Sequence, residues 1–292
     1  MSTYNGEKYL SEQLESILTQ SEKDILLFIR DDGSTDNTIN MLNKFSEKYP
    51  KKIKFYQGDN KGPSKSFLEV VRNAPQARYY MLADQDDIWL ENKILIASKS
   101  LEQFKSPALY YSNVTPVNNE LYELEKNNLF LEKETNLQKL IIRNEIIGCT
   151  VCFNRDLMEI LKKIKIPSNP IMHDHWIGLI NAVFNGVFIF DRESHILYRQ
   201  HESNVVGAHR NLFILLKKHF SKENRNVRSN LIKLINDSGL EIPLENNSLI
   251  DDISKYKTNS TSKKNILCNK SLYQDSFFKN LLWFVDVLIN NY

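Results

Sequence analysis

Ala83-Asp84-Gln85-Asp86-Asp87-Ile88-Trp89 is the stretch around which this chain is organised. It follows a short apolar run over 78–82, Arg-Tyr-Tyr-Met-Leu, whose aromatic and aliphatic content predicts a buried strand. Three carboxylates therefore crowd one strand end. Charges of one sign this close repel unless a positive group sits among them. A hard divalent cation with oxygen ligands answers that need, and Mg²⁺ or Mn²⁺ commonly shares its shell with phosphate oxygens. An acidic turn capping the next helix is the plainer alternative, and Asp87 alone would fit it. The whole cluster favours the metal, because open α/β sheets bind ligands beyond the carboxyl ends of their strands.

The residues on either side supply the frame. Ile25–Ile29 is a continuous apolar run suited to an interior parallel strand, and it ends in Asp31-Asp32-Gly33-Ser34-Thr35-Asp36-Asn37-Thr38. Gly33 permits a sharp turn, and Ser34 or Thr35 can cap a following helix that reaches Tyr49. Carboxylates at such a turn suit sugar hydroxyls or the N–H groups of a base. Upstream, Ser2-Thr3-Tyr4-Asn5-Gly6 is a small polar turn that normally follows an element, and Met1 leads straight into it. A helix is predicted over 9–19, a strand at 53–56, helices over 64–73 and 90–104, and a strand at 108–112. This β/α alternation implies a mostly parallel sheet with helices on both faces.

The second half is more mixed. A strand is predicted at 148–153, a helix over 155–163 capped by Asn154, and two strands at 186–190 and 195–200. Between them Met172-His173-Asp174-His175-Trp176 opens an apolar helix. The segment 212–216 is apolar beside two lysines. The final segment, 277–289, should place Phe278, Leu281, Leu282, Val285 and Ile289 on one helical face. Lys279, Trp283, Asp286 and Asn290 then fall on the other.

With 292 residues, 41% hydrophobic and 25% charged, the chain can bury a sizeable core. The net charge of +2 is silent on nucleic acid, and no motif asks for one. From residue 210 onward 13 Lys/Arg face 8 Asp/Glu, so a basic tail follows a mildly acidic body. Such a tail suits an anionic surface, or it packs on the body as a helical appendage. Three cysteines do not form a disulfide framework. Cys149 and Cys152 form a C-x-x-C without a second ligand pair, so two buried thiols are expected rather than zinc. A cytoplasmic location follows as the expectation, at the inner face of the plasma membrane if the tail binds lipid.

Four motifs stand in order: 2–6, 31–38, 84–89, and 173–176 with 199–204. Together they resemble the family 2 glycosyltransferases, and within these the bacterial rhamnosyltransferase-like branch. The resemblance covers about residues 1–207. It implies a GT-A fold: a Rossmann-like nucleotide-binding half over about 1–113 and an acceptor-binding half over about 114–207. A helical, basic C-terminal region would occupy 208–292. It also implies an inverting enzyme that uses a nucleotide-diphosphate sugar, a glycan or lipid-linked acceptor, and Mg²⁺ or Mn²⁺. Carried over by resemblance, Thr3 and Tyr4 hold the base, Asp31 or Asp32 the base or ribose, and Asp84 the ribose. Asp86 and His201 become metal ligands, Arg199 a diphosphate contact, and Asp174 the catalytic base. Family members usually carry an apolar strand ahead of the Thr-Tyr-Asn turn.

The residues themselves are compatible with this chemistry. Inverting transfer needs a neutralised leaving diphosphate and a base for the acceptor hydroxyl. Asp174, at a helix start between two histidines, suits a base, and it equally suits a helix cap. His173 and Trp176 are candidate acceptor or sugar contacts, although Trp in such a place commonly belongs to a core. dTDP-rhamnose is the donor expected from the resemblance, with a UDP-hexose as rival. A sugar-1-phosphate nucleotidyltransferase and a non-catalytic nucleotide-sugar binder are the competing classes.

Overall fold

The computed structural model describes residues 1–124, 134–168, 170–201, 227–274 and 277–292. Three parallel strands open the chain: β1 (Ser2–Thr3), β2 (Leu27–Asp31) and β3 (Ile53–Gln57), in the order β1-β2-β3. Helix α1 (Leu10–Leu18) buries Leu10, Leu14 and Ile17, spaced to lie on one face. Burying each such side chain contributes about 2 kcal/mol, enough to seat a nine-residue helix against the sheet. Helix α2 (Thr38–Lys48) starts later than the sequence suggests. Ser34 is not its cap: the Ser34 hydroxyl donates to Asp31 instead, 2.6 Å away. Helix α3 (Pro63–Asn73) has proline in its first turn, where no amide is required.

The run before the acidic stretch forms β4 (Tyr79–Met81), and Ile88–Trp89 forms β5. Helix α4 (Lys93–Leu101) leads into the long strand β6 (Ala108–Val117). After α5 (Leu137–Ile142) the expected strand at 148–153 divides. Gly148–Thr150 makes a tight 3₁₀ turn, and only β7 (Cys152–Asn154) is extended. Helices α6 (Arg155–Lys163) and α7 (His173–Val183) follow. The two strands expected near 186–200 are one, β8 (Val187–Arg199), running parallel to β6 with register shifts near Asn113 that absorb the break. These strands form a second, mixed sheet in the order β4-β7-β6-β8-β5.

Behind it, α8 (Val227–Asn236), α9 (Leu244–Lys255), α10 (Ser260–Cys268) and α11 (Phe277–Leu288) complete the described chain. These helices pack on the body. Ile232, Ile250, Tyr256 and Trp283 share one apolar cluster with Ile141, Ile177 and Phe153. The Tyr292 hydroxyl donates to the Ile141 carbonyl at 2.7 Å.

The last helix exposes Leu281, Val285 and Ile289 together, as residues of one predicted face, and it is the side of Trp283 and Asp286 that turns inward. Val287 is buried with them. Trp283 stacks edge-on against Tyr273 and Tyr292, and its large ring area decides which face turns inward. The Phe278 side chain, the apolar run 212–216 and the end of the motif at 202–204 lie outside what is described.

Candidate active site

The site lies where the ends of β1, β2 and β4 meet the start of α7. At β1, Asn5 takes a left-handed backbone conformation with φ 47°, which asparagine tolerates. The Tyr4 amide donates to Gln85 Oε1 at 2.8 Å, and Gln85 Nε2 returns a bond to the Tyr4 carbonyl at 3.0 Å. This reciprocal pair ties the first turn to the acidic stretch. Its spacing of 81 residues hides it from the sequence. Tyr4 is 46% exposed, so its ring remains available to a ligand.

Thr3 is buried and donates to Asp31 Oδ2 at 2.8 Å. Asp31 also accepts from the Gly33 and Ser34 amides and from the Ser34 hydroxyl. Asp32 forms a buried ion pair with Arg30 and accepts from the Lys61 and Gly62 amides, both at 2.9 Å. Both carboxylates thus shape the turn itself. Gly33, at φ +82°, closes it where an L side chain would be strained.

The buried carboxyls of the acidic stretch resist ionisation. Burial, then the nearby charges of Asp86 and Asp174, push the Asp84 carboxyl up to about 7. Burial together with Asp84 and Asp86 holds Asp87 well above the usual carboxylate range. Lys93 lies buried, its ammonium 5.0 Å from the Trp89 ring centroid; burial lowers its pKa, and the nearby charge of Asp87 opposes that shift. Cys149 and Cys152 are both buried free thiols, as expected. Donor atoms of Asp84, Asp87 and Cys149 lie within 4.8 Å of one another. Burial and the adjacent carboxylates keep Cys149 a thiol, which makes it a poor ligand for a hard cation.

His201 Nε2 and Asp86 Oδ2 are 2.9 Å apart, and the His201 ring stacks on Tyr9 at 5.1 Å. A carboxylate oxygen and an imidazole nitrogen converging beside two further carboxylates is a donor set that suits Mg²⁺ or Mn²⁺. The residues fit that group.

Arg199 is not placed as a diphosphate contact. It is 2% exposed, its Nε donates to the Asp86 carbonyl at 2.9 Å, and its Nη2 meets Glu12 Oε2 at 2.5 Å. Nη1 donates to the Asn119 carbonyl, and the Arg199 amide reaches Asp87 Oδ1 at 3.2 Å. The guanidinium therefore staples the acidic stretch to α1 and to the end of β6. Glu12, Asn119 and Tyr9 carry no motif, and the sequence offered no signal for them.

Asp174 occupies the first turn of α7. Its Oδ1 accepts from Asn144 Nδ2 at 3.0 Å and from the His175 amide at 2.6 Å. Burial raises this carboxyl to about 6 despite those bonds. The Asp174 charge also reaches Asp84 and helps to raise its carboxyl. Gly148 allows the approach: a Cβ there would lie 2.9 Å from His173 Nε2 and 3.3 Å from Asp174 Oδ2. His173 is buried, stacked on Phe67 at 3.9 Å, and burial drives its pKa down to about 3. Trp176 is 3% exposed and lies in the core beside Leu68 and Met158, so it cannot form a sugar platform.

Known proteins resemble this chain in sequence and fold. The model of the Glycosyl transferase family 2 matches residues 1–161. A dTDP-rhamnosyl transferase, RfbG of Shigella flexneri, is 32% identical over 246 residues, 81% of this chain and 83% of that protein. A UDP-Glc:alpha-D-GlcNAc-diphosphoundecaprenol beta-1,3-glucosyltransferase, WfgD of Escherichia coli, is 27% identical, over 54% of this chain and 60% of that protein. Among solved structures, S. aureus TarS 1-349 in complex with UDP-GlcNAc superposes with a TM-score of 0.60. That match has 18% identity and covers 98% of this chain and 79% of the other. The fold is therefore that of the GT-A glycosyltransferases, and this chain belongs to glycosyl transferase family 2.

Proposed function

We propose that this glycosyltransferase moves a sugar, with inversion, from a nucleoside-diphosphate donor to a glycan or lipid-linked glycan hydroxyl in cell-surface polysaccharide synthesis. The observation that carries this reading is the convergence of Asp86 with His201, beside Asp84 and within electrostatic reach of Asp174. Asp86 and His201 would hold Mg²⁺ or Mn²⁺, which when bound supplies positive charge against the leaving diphosphate. Tyr4 offers its exposed ring to the base, the Thr3–Asp31–Asp32 turn shapes the nucleotide end, and Asp84 faces the ribose. Asp174 takes the acceptor proton as the hydroxyl attacks. Arg199 acts by positioning the Asp86–Asp87 backbone.

L-rhamnose from dTDP-rhamnose is the donor supported by the similarity to RfbG. The second reading, a UDP-hexose, is favoured by the similarity to WfgD and to TarS bound to UDP-GlcNAc. Residues 1–207 would form the transferase unit. Helices α8–α11 would rest it on the inner face of the plasma membrane, through exposed Phe277, Leu281, Val285 and Leu288. Among the described residues no helix is long and apolar enough to cross a membrane.

The test is a panel of dTDP-rhamnose, UDP-glucose and UDP-GlcNAc with a lipid-linked acceptor, run with Mn²⁺ and with EDTA. Glycosylated lipid is read by mass spectrometry. Transfer from dTDP-rhamnose alone supports the first donor, transfer from a UDP-sugar alone the second. No transfer from any of them defeats the reading.

A further inference from the structure

Tyr9 stands immediately ahead of α1, and the Gln13 amide donates to its carbonyl, so the first turn of that helix fixes its backbone. Its hydroxyl donates to Asn119 Oδ1 at 2.8 Å. Asn119 sits in the turn after β6. There Asn118 Oδ1 accepts from the Glu120 and Tyr122 amides and holds the turn tight. The phenol is therefore pinned at its root and at its tip.

Two side chains from the end of β8 lie against the ring between these pins. Arg199 and His201 are two positions apart, the spacing that sends side chains of an extended chain to one side. The Gln200 amide still bonds to the Val117 carbonyl, so the strand direction continues to His201. The Arg199 guanidinium carbon is 4.5 Å from the Tyr9 ring centroid. The His201 ring centroid is 5.1 Å from it, and the two planes are 27° apart.

The consequence falls on His201. An imidazole turns about two side-chain torsions, and the single contact of Nε2 with Asp86 Oδ2 leaves the ring free to swing about that contact. A side chain that changes rotamer has to be ordered when a ligand binds, and affinity falls accordingly. Arg199 does not prevent this, because its fork is taken up by the Asp86 carbonyl, Asn119 and Glu12. A fixed aromatic ring stacked on the imidazole does.

We infer that Tyr9 is a positioning residue for the cation site: its ring sets the rotamer of His201 and keeps Nε2 turned towards Asp86 before an ion binds. The inference rests on the reading of Asp86 and His201 as Mg²⁺ or Mn²⁺ ligands. Substitution separates the two parts of Tyr9. Tyr9→Phe keeps the ring and loses the pin at its tip. Asn119→Ala loses the same pin and keeps the backbone carbonyl that Arg199 uses. Tyr9→Leu keeps apolar bulk and loses the ring.

In the experiment Mn²⁺ alone is titrated into the full chain, free ion is read by electron paramagnetic resonance, and Asp86→Ala is run alongside. Tyr9→Leu should weaken Mn²⁺ binding about tenfold or more. Tyr9→Phe and Asn119→Ala should each lose about threefold or less. A purely structural role would lower Tm and leave the Mn²⁺ affinity of the folded chain unchanged. Parent affinity in Tyr9→Leu, where Asp86→Ala has lost binding, overturns the inference and leaves the cation reading standing. Equal titrations of the parent and Asp86→Ala overturn both. A second measurement uses no metal. At about pH 8, where the imidazole is neutral, proton NMR should find the His201 ring protons moved upfield by the Tyr9 ring, with His201→Ala giving the assignment. That shift should persist in Tyr9→Phe and vanish in Tyr9→Leu. Should Tyr9→Leu not fold, the parent spectrum decides: upfield protons support the stack, and protons at their ordinary exposed position overturn the inference.

Discussion

His201 Nε2 stands 2.9 Å from Asp86 Oδ2, across 115 residues of sequence. The pair is assembled from the end of β8 and the loop after β4, and Arg199 holds both pieces. Its backbone amide meets Asp87 and its guanidinium meets the Asp86 carbonyl. If this pair binds a cation, Asp86→Ala and His201→Ala should each weaken Mn²⁺-dependent donor binding about tenfold or more while leaving Tm near the parent value. Calorimetry with Mn²⁺ and with EDTA checks this. A Mn²⁺ titration that the substitutions leave unchanged would remove both residues as ligands.

Asp174→Asn keeps the shape and hydrogen-bonding reach of the side chain but cannot take a proton. Donor binding should persist while transfer falls by about 10²–10⁴-fold, the range general bases contribute. The base works ionised, and burial raises this carboxyl to about 6. Transfer should therefore fall about tenfold per pH unit below 6 and level off above 7. Asn144→Ala removes a bond that favours the carboxylate, so that limb should move to higher pH. A rate profile that stays flat from pH 5 to 8 contradicts the assignment.

Arg199→Lys retains a charge but not the planar fork that reaches Asp86, Asn119 and Glu12 together. As a positioning residue it should cost about 10–100-fold in metal affinity. The diagnostic is partial recovery of transfer at high Mn²⁺. A loss confined to donor KM at saturating Mn²⁺ would instead restore the diphosphate contact.

Asp32→Ala strips the buried Arg30 guanidinium of its nearer carboxylate and leaves it Glu69, 3.4 Å from its Nε. Removing one partner of such a pair costs about 3–5 kcal/mol. Denaturant melts should show that loss even without donor. Full stability with weakened donor binding would return Asp32 to direct base or ribose contact.

Trp176→Ala should behave as a core truncation, losing about 3–5 kcal/mol. The surviving folded fraction, assayed at low temperature, should keep the parent KM for donor and acceptor. A large KM change with intact stability would return Trp176 to the sugar site.

The acidic stretch, the Asp-Gly-Ser turn and the helix opening at His173 were legible because each depends on local chemistry. Clustered carboxylates, a glycine with positive φ and an acidic first helical turn all announce themselves within a few residues. The facing of the last helix was not legible. Periodicity separates its two faces, but the aromatic partners Tyr273 and Tyr292 decide which of them turns inward. The burial of Arg199 and Trp176 was not legible for the same reason, since a motif position does not reveal whether a side chain faces solvent or core.

By itself the sequence determined the family, the alternating frame and the carboxylates at its strand ends, because these follow from short-range pattern and covalent order. Tertiary structure alone decided that His201 meets Asp86, that Gln85 ties down Tyr4, and that Arg199 is a staple. Contacts between residues some 80 to 115 positions apart depend on how the sheets pack, and packing energy belongs to no single stretch of chain.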